Sequence, residues 1–194
     1  MKYFIGLLVL LGFGCKQADN QNRTGKKRDG TMLLLSNQTE CLDWESIKLN
    51  GTIPMLSDFK QTVKELGKPD SIVPSKNRNI STSFFNKQKW NYCYFRGLEF
   101  EQSNDRLAFR SVDFRINTAL FLKSDKIRLG YATTLANFKK VFPKAGSNEL
   151  DHTAMDEYIA IDINAAKDGK DDQWMLTFSA NGNNLLKIEY WIAD

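Results

Sequence analysis

Histidine is almost missing from this chain. One, His152, occurs in 194 residues, so a paired-histidine metal site or an HExxH helix cannot be assembled. A serine nucleophile would have to share that one histidine, and no GxSxG turn accompanies it. Cysteine occurs three times and never as CxxC, which removes the dithiol and zinc-ribbon readings. No apolar run is long enough to span a bilayer as a helix. Excess charge is missing too, once it is located. The chain carries 27 basic and 23 acidic side chains. Residues 1–30 hold six of the basic and two of the acidic ones, leaving 21 of each sign for residues 31–194. A nucleic-acid binder concentrates positive charge on the domain that meets phosphate, so no nucleic-acid partner is expected. With no cofactor motif and no metal-ligand spacing, the expectation is a binding protein without cofactor or metal, not an enzyme.

What is present begins with targeting. Lys2 precedes the apolar run YFIGLLVLLGFG, which ends at Cys15 and has the length of a secretory signal core. Residues 16–30, KQADNQNRTGKKRDG, contain no large apolar side chain and read as a flexible tether.

A duplicated stretch follows. The first copy, IKLNGTIPMLSDFKQTVKELGKP, begins at Ile47, and the second, IRLGYATTLANFKKVFPKAG, begins at Ile127. Leu56, Phe59, Lys60 and Gly67 recur as Leu135, Phe138, Lys139 and Gly146, always 79 residues later. Each copy predicts a short strand, a glycine turn, one helix and a stop. In the first, Ser57 is the expected N-cap or first-turn residue, Asp58 is favourable near the positive helix end, and Leu56, Phe59, Val63 and Leu66 form an apolar helical stripe. Gly67 and Pro69 end it. In the second, Thr133 or Thr134 caps a helix carrying Leu135, Phe138 and Phe142.

Residues 70–89 read as a loop with one irregular strand, and residues 117–126 as a plain connection. Alternating runs elsewhere predict strands: WNYCYF, GLEFEQ, RLAFRSVDFRI, YIAIDI, WMLTFS and LLKIEYWI. In the last run Leu186, Ile188, Tyr190 and Ile192 should face the helix, and Lys187, Glu189 and Trp191 the other way. The expected fold is α+β, with two tandem repeats, each a short helical segment on an antiparallel sheet of about four strands. The expected divisions are a signal peptide at 1–14, a tether at 15–30, and repeats at 31–126 and 127–194.

Two resemblances carry further expectations. Lysine, a short apolar core, then Gly14-Cys15 resembles the lipobox of bacterial lipoproteins, and Lys16 after the cysteine resembles those of the Bacteroidota. This implies cleavage before Cys15 and lipidation there, with acyl chains such as palmitate. The protein would then be an exported, outer-membrane-anchored envelope lipoprotein, facing the periplasm or the surface. Cleavage by the ordinary signal peptidase would instead give a soluble periplasmic protein. Gly51, LGKP at residues 66–69 and KWNYCYF at 89–95 carry the second resemblance, as do Gly130, FPKAG at 142–146, QWMLTF and LLKIEYW. Each repeat so marked is similar to the helix-plus-antiparallel-sheet unit of β-lactamase inhibitor protein and of the SmpA/OmlA lipoproteins. That likeness implies protein–protein recognition by a sheet surface, of inhibitor, immunity or assembly-accessory type.

Three candidate sites remain. Trp90, Tyr92 and Tyr94 share a strand face, and Trp191 lies on the wetter face of its strand. With Arg96 they could form an aromatic platform for a protein partner, or for a glycan or small ligand; aromatic strands are also ordinary core fillers. Cys41 and Cys93 could form a disulfide worth roughly 3–4 kcal/mol around a loop of about 50 residues, or stay as separate thiols. His152 stands near Asp151, Asp156 and Glu157, a set that reads more simply as an exposed polar loop than as a hydrolase or metal centre.

Overall fold

The computed structural model describes residues 40–77, 82–85, 88–145, 158–165 and 172–193, all within a compact unit spanning Asn37–Asp194. The signal, the tether, Cys15 and His152 with its acidic neighbours lie outside the described residues.

Strand β1 (Lys48–Leu49) turns through Asn50 and Gly51, both at positive φ, into β2 (Ile53–Pro54). Asparagine and glycine are the residues that tolerate that turn geometry. Strand β3 (Leu56–Asp58) leads directly into helix α1 (Phe59–Leu66). The Asp58 carboxylate caps the helix by accepting from the Gln61 amide at 2.9 Å. This corrects the expected start at Ser57. Leu56, Ser57 and Asp58 are taken by strand pairing with Ala108, Leu107 and Arg106, so the helix begins after them. Ser57 is buried, and its hydroxyl accepts from Thr62 Oγ1 at 3.0 Å. Phe59, Val63 and Leu66 pack against the core at partial burial, while Thr62 is the buried helical residue. Gly67, at φ +87°, ends the helix with its amide donating to Val63 O, a geometry that glycine adopts without Cβ strain.

Next come β4 (Ser71–Pro74), a 3₁₀ turn (Ser75–Asn77), β5 (Asn91–Phe95), β6 (Leu98–Ser103) and β7 (Arg106–Asp113). The segment read as a plain connection holds a strand, β8 (Phe121–Lys123), which forms a hairpin with β9 (Arg128–Gly130). Helix α2 (Leu135–Val141) is capped by Thr134, whose hydroxyl accepts from the Asn137 amide at 3.1 Å. Phe142 and Pro143 close it. Strands β10 (Tyr158–Asn164), β11 (Gln173–Ser179) and β12 (Leu185–Trp191) complete the described chain.

The elements assemble into two antiparallel sheets. The large one runs β10-β11-β12-β7-β6-β5-β4, with β3 paired to one end of β7. The small one runs β2-β1-β8-β9. Asn50 ties its two hairpins: its amide donates to Phe121 O at 2.8 Å, and its side-chain oxygen accepts from the Phe121 amide at 3.3 Å. Four strands follow α1 before the small sheet resumes, and three described strands follow α2. They meet where β12 pairs with β7, matching Lys187, Ile188 and Glu189 to Asp113, Val112 and Ser111. The class is α+β, a mainly antiparallel sheet protein with two helices.

One core serves the whole unit. Leu49 and Leu129 of the small sheet, Phe138 and Phe142 of the α2 segment, and Phe100, Val112, Trp174 and Ile188 of the large sheet belong to a single buried cluster. Its aromatic centre is Trp174, whose ring lies 5.1 to 5.9 Å from those of Tyr190, Trp44 and Phe109. The core therefore crosses the expected boundary at residues 126 and 127.

The disulfide between Cys41 and Cys93 is not formed; both thiols are free and buried. The sheet order explains it. Cys41 lies beside Asn164 of β10, and Cys93 lies in β5. Four strands separate β10 from β5, about 24 Å at normal strand spacing, whereas a disulfide needs Cα atoms within roughly 7 Å. Burial pushes the Cys93 thiol up to about 11, so at pH 8 it is protonated and unreactive. Alkylation of the native chain at pH 8 should leave Cys41 and Cys93 unmodified, and denaturant should release both without reductant. A chain two mass units lighter, resistant to alkylation until reduced, would contradict the strand order.

Candidate functional site

The large sheet has a sealed face and a more open one, which is covered around Tyr92 and Glu101; elsewhere alternation decides which side chains go where. On β12, Ile188 and Tyr190 are buried, Lys187 and Glu189 are half-buried, and Trp191 is 56% exposed. The register extends this across the sheet. Tyr94 opposes Glu99, Glu99 opposes Ser111, Ser111 opposes Glu189, Glu189 opposes Met175, and Met175 opposes Asp162. This row crosses six neighbouring strands, and every member is half-buried. It forms a continuous polar strip with one thioether and one phenol, backed by the aromatic core.

The expected aromatic residues fall on this same face but do not form one surface. Trp90, just before β5, is half-buried, and its ring meets Tyr92 edge-on at 4.7 Å. Tyr92 is fully buried and stacks on Tyr94 at 6.2 Å. Its cross-strand neighbour Glu101 is fully buried as well. Arg96 is exposed in the turn between β5 and β6. Trp191 is separated from β5 by β6 and β7, about 14 Å across the sheet. The face thus presents two aromatic stations, Trp90 with Tyr94 and Trp191, with a polar strip between them.

Two charge pairs lie on this face, while Asp162 Oδ1 at its end is buried with no hydrogen-bond partner. Asp113 accepts from Arg115 through both carboxylate oxygens, Nε at 2.9 Å and Nη2 at 2.5 Å. That hydrogen bonding holds the Asp113 carboxyl below its ordinary value. Lys187 Nζ lies 2.7 Å from Glu189 Oε1. At the β11 edge Asp172 is also engaged, accepting from Tyr190 OH at 2.7 Å and the Ala193 amide at 3.0 Å.

One charged residue escaped the sequence reading. Alternation in LEFEQ places Glu99 and Glu101 on the wetter face, yet Glu101 is completely buried. Its Oε2 accepts from Ser83 Oγ at 2.5 Å and from the Phe84 amide at 2.9 Å, and Arg110 Nε lies 3.4 Å from Oε1. Burial raises its carboxyl, against the opposing pull of the Ser83 hydrogen bond and the Arg110 charge. Glu101 thereby pins residues 83–85 to β6. Nothing in the local sequence marks it, because its cover comes from a segment 18 residues earlier.

Among the described residues no cluster of three histidine, cysteine or acidic side chains could hold a metal ion. Among them, too, no helix is long and apolar enough to cross a membrane. Comparison with protein-family models, with curated proteins and with solved structures found no match to this chain.

Proposed function

We propose that the protein is exported to the bacterial envelope, anchored by lipid on Cys15, and binds another protein against the open face of its large sheet. The observation that carries this is the half-exposed strip from Tyr94 to Asp162, six strands wide and flanked by Trp90 and Trp191. Such a strip offers a rigid surface with aromatic anchors and two charge pairs already in place, so little side-chain entropy is lost there on docking. The duplicated stretch supports the same reading. Each copy leads through a helix into an antiparallel meander, and the last strands of the two meanders, β7 and β12, pair with each other. A duplicated unit that doubles its sheet in this way doubles its recognition surface, as the likeness to β-lactamase inhibitor protein implies.

An inhibitor, an immunity protein or an assembly accessory would each use such a face. A glycan platform has less support, since Tyr92 is buried and Trp191 stands apart from Trp90 and Tyr94. Anchoring is checked by feeding labelled palmitate: the wild-type chain should incorporate it and Cys15→Ser should not. Equal labelling of both would overturn the anchor. Recognition is checked by photo-crosslinking from the open face in the cell that makes the protein.

A further inference from the structure

The β8–β9 hairpin, the turn at residues 131–134 and helix α2 border an open cleft of about 480 Å³, within the size range of small-ligand sites. It is remote in character from the open sheet face. Its apolar wall includes Leu120, Ile127 and Val141, and its two charged lining residues are Arg128 and Lys140. No carboxylate lines it. Nor does either cation pair with a carboxylate elsewhere among the described residues. This contrasts with the sheet face, where Asp113 and Glu189 each have a basic partner.

Arg128 is also held in place. Its guanidinium carbon sits 3.8 Å from the centre of the Phe121 ring. Stacking on an aromatic face fixes the plane of a guanidinium while leaving its N–H edge free to donate. A planar, oriented fork matches a carboxylate, which can accept two parallel hydrogen bonds. The Asn137 side chain, one turn before Val141 on α2, adds a neutral donor and acceptor to the lining. A ligand that is only an anion would waste the apolar wall; one that is only apolar would leave two cations facing it unanswered.

We propose that this cleft binds a small ligand in which an apolar group carries a carboxylate. The apolar part lies against Leu120, Ile127 and Val141, and the carboxylate lies between Arg128 and Lys140. A fatty acid and the C-terminus of a peptide ending in an apolar residue share this chemistry. The proposal does not depend on the reading of the sheet face.

Amide NMR titration of the full chain tests it with four probes: octanoate for a fatty acid, N-acetyl-leucine for a peptide C-terminus, octanamide as the neutral control and inorganic phosphate as the anion without an apolar part. Octanoate, N-acetyl-leucine or both should shift the Gly130, Tyr131 and Asn137 amides saturably, at least tenfold more tightly than octanamide or phosphate. Whichever carboxylate binds more tightly identifies the source. Lys140→Gln, on an exposed helix position, should weaken binding about tenfold with the rest of the spectrum unchanged, and Arg128→Gln should weaken it at least as much. If Arg128→Gln disturbs the hairpin, the Lys140 variant still decides. Octanamide or phosphate binding as tightly as the carboxylates would overturn the proposal. So would carboxylate binding that neither substitution weakens, or no saturable shift with either carboxylate.

Discussion

Trp174→Ala should destabilise the fold by about 3–5 kcal/mol in urea unfolding, the range for removing a large aromatic from a close-packed core. That is much of the total stability of an ordinary domain, about 5–15 kcal/mol. The expectation rests on position. Trp174 is fully buried in β11, and its ring touches Trp44 from the segment before β1, Phe109 from β7 and Tyr190 from β12. Its indole Nε1–H donates to the Leu42 carbonyl at 2.6 Å. Three separate parts of the chain therefore meet on one side chain of β11. Trp174→Phe separates the two contributions. It keeps most of the ring packing but strips the Leu42 carbonyl of its donor, and should cost less, about 1–3 kcal/mol. A Trp174→Ala variant within 1 kcal/mol of wild type would mean that this region is not packed as described.

Glu101→Ala should be comparably damaging at neutral pH, about 3–5 kcal/mol, because it strands the other half of a buried ion pair. Arg110, with 13% of its side chain exposed, would lose its carboxylate. Ser83 Oγ and the Phe84 amide would lose their acceptor. Glu101→Gln should be milder, since an amide oxygen can still accept from both.

The two variants also differ from wild type in pH dependence. The folded carboxyl of Glu101 is raised above its unfolded value, so the native state binds this proton more tightly than the unfolded state. Its stabilising contribution is full below the unfolded carboxylate range and is lost as pH rises through the raised folded value. Asp113 runs the opposite way. Its folded carboxyl is lowered, so its contribution is present above the unfolded value and lost as pH falls through the lowered one. Wild-type stability should therefore decline on the alkaline side of the carboxylate range, and Glu101→Gln should remove that decline while leaving the acid limb set by Asp113. An unchanged alkaline limb in the Gln variant would sink the assignment.

Local chemistry made much of the fold legible. Gly67 and Pro143 mark helix ends, and Thr134 caps α2 as expected. The alternation of LLKIEYW correctly sorts Ile188 and Tyr190 inward and Lys187, Glu189 and Trp191 outward. Elements that depend on a distant partner were not legible. Leu56, Ser57 and Asp58 look like a helix start but are taken up by β7, 50 residues away. Phe121, Leu122 and Lys123 are too short a run to announce a strand, and become one because β1 and β9 flank them. The distance between Cys41 and Cys93 follows from strand order, which no local pattern encodes. The candidate site divides along the same line. Trp191 is exposed because alternation puts it out at a strand end. Tyr92 has the same alternation signal, yet it is fully buried beside the equally buried Glu101.

Photo-crosslinking bears most directly on the claim that the open sheet face is the recognition surface. A photoreactive residue would replace Met175, in the middle of the half-exposed strip, or Lys60, on the exposed side of helix α1. Both chains would be produced in the native cell and irradiated there. The account predicts that the Met175 site yields one dominant protein adduct and the Lys60 site does not. Equal adducts from both sites, or none from Met175 while the chain is folded and in place, would contradict it.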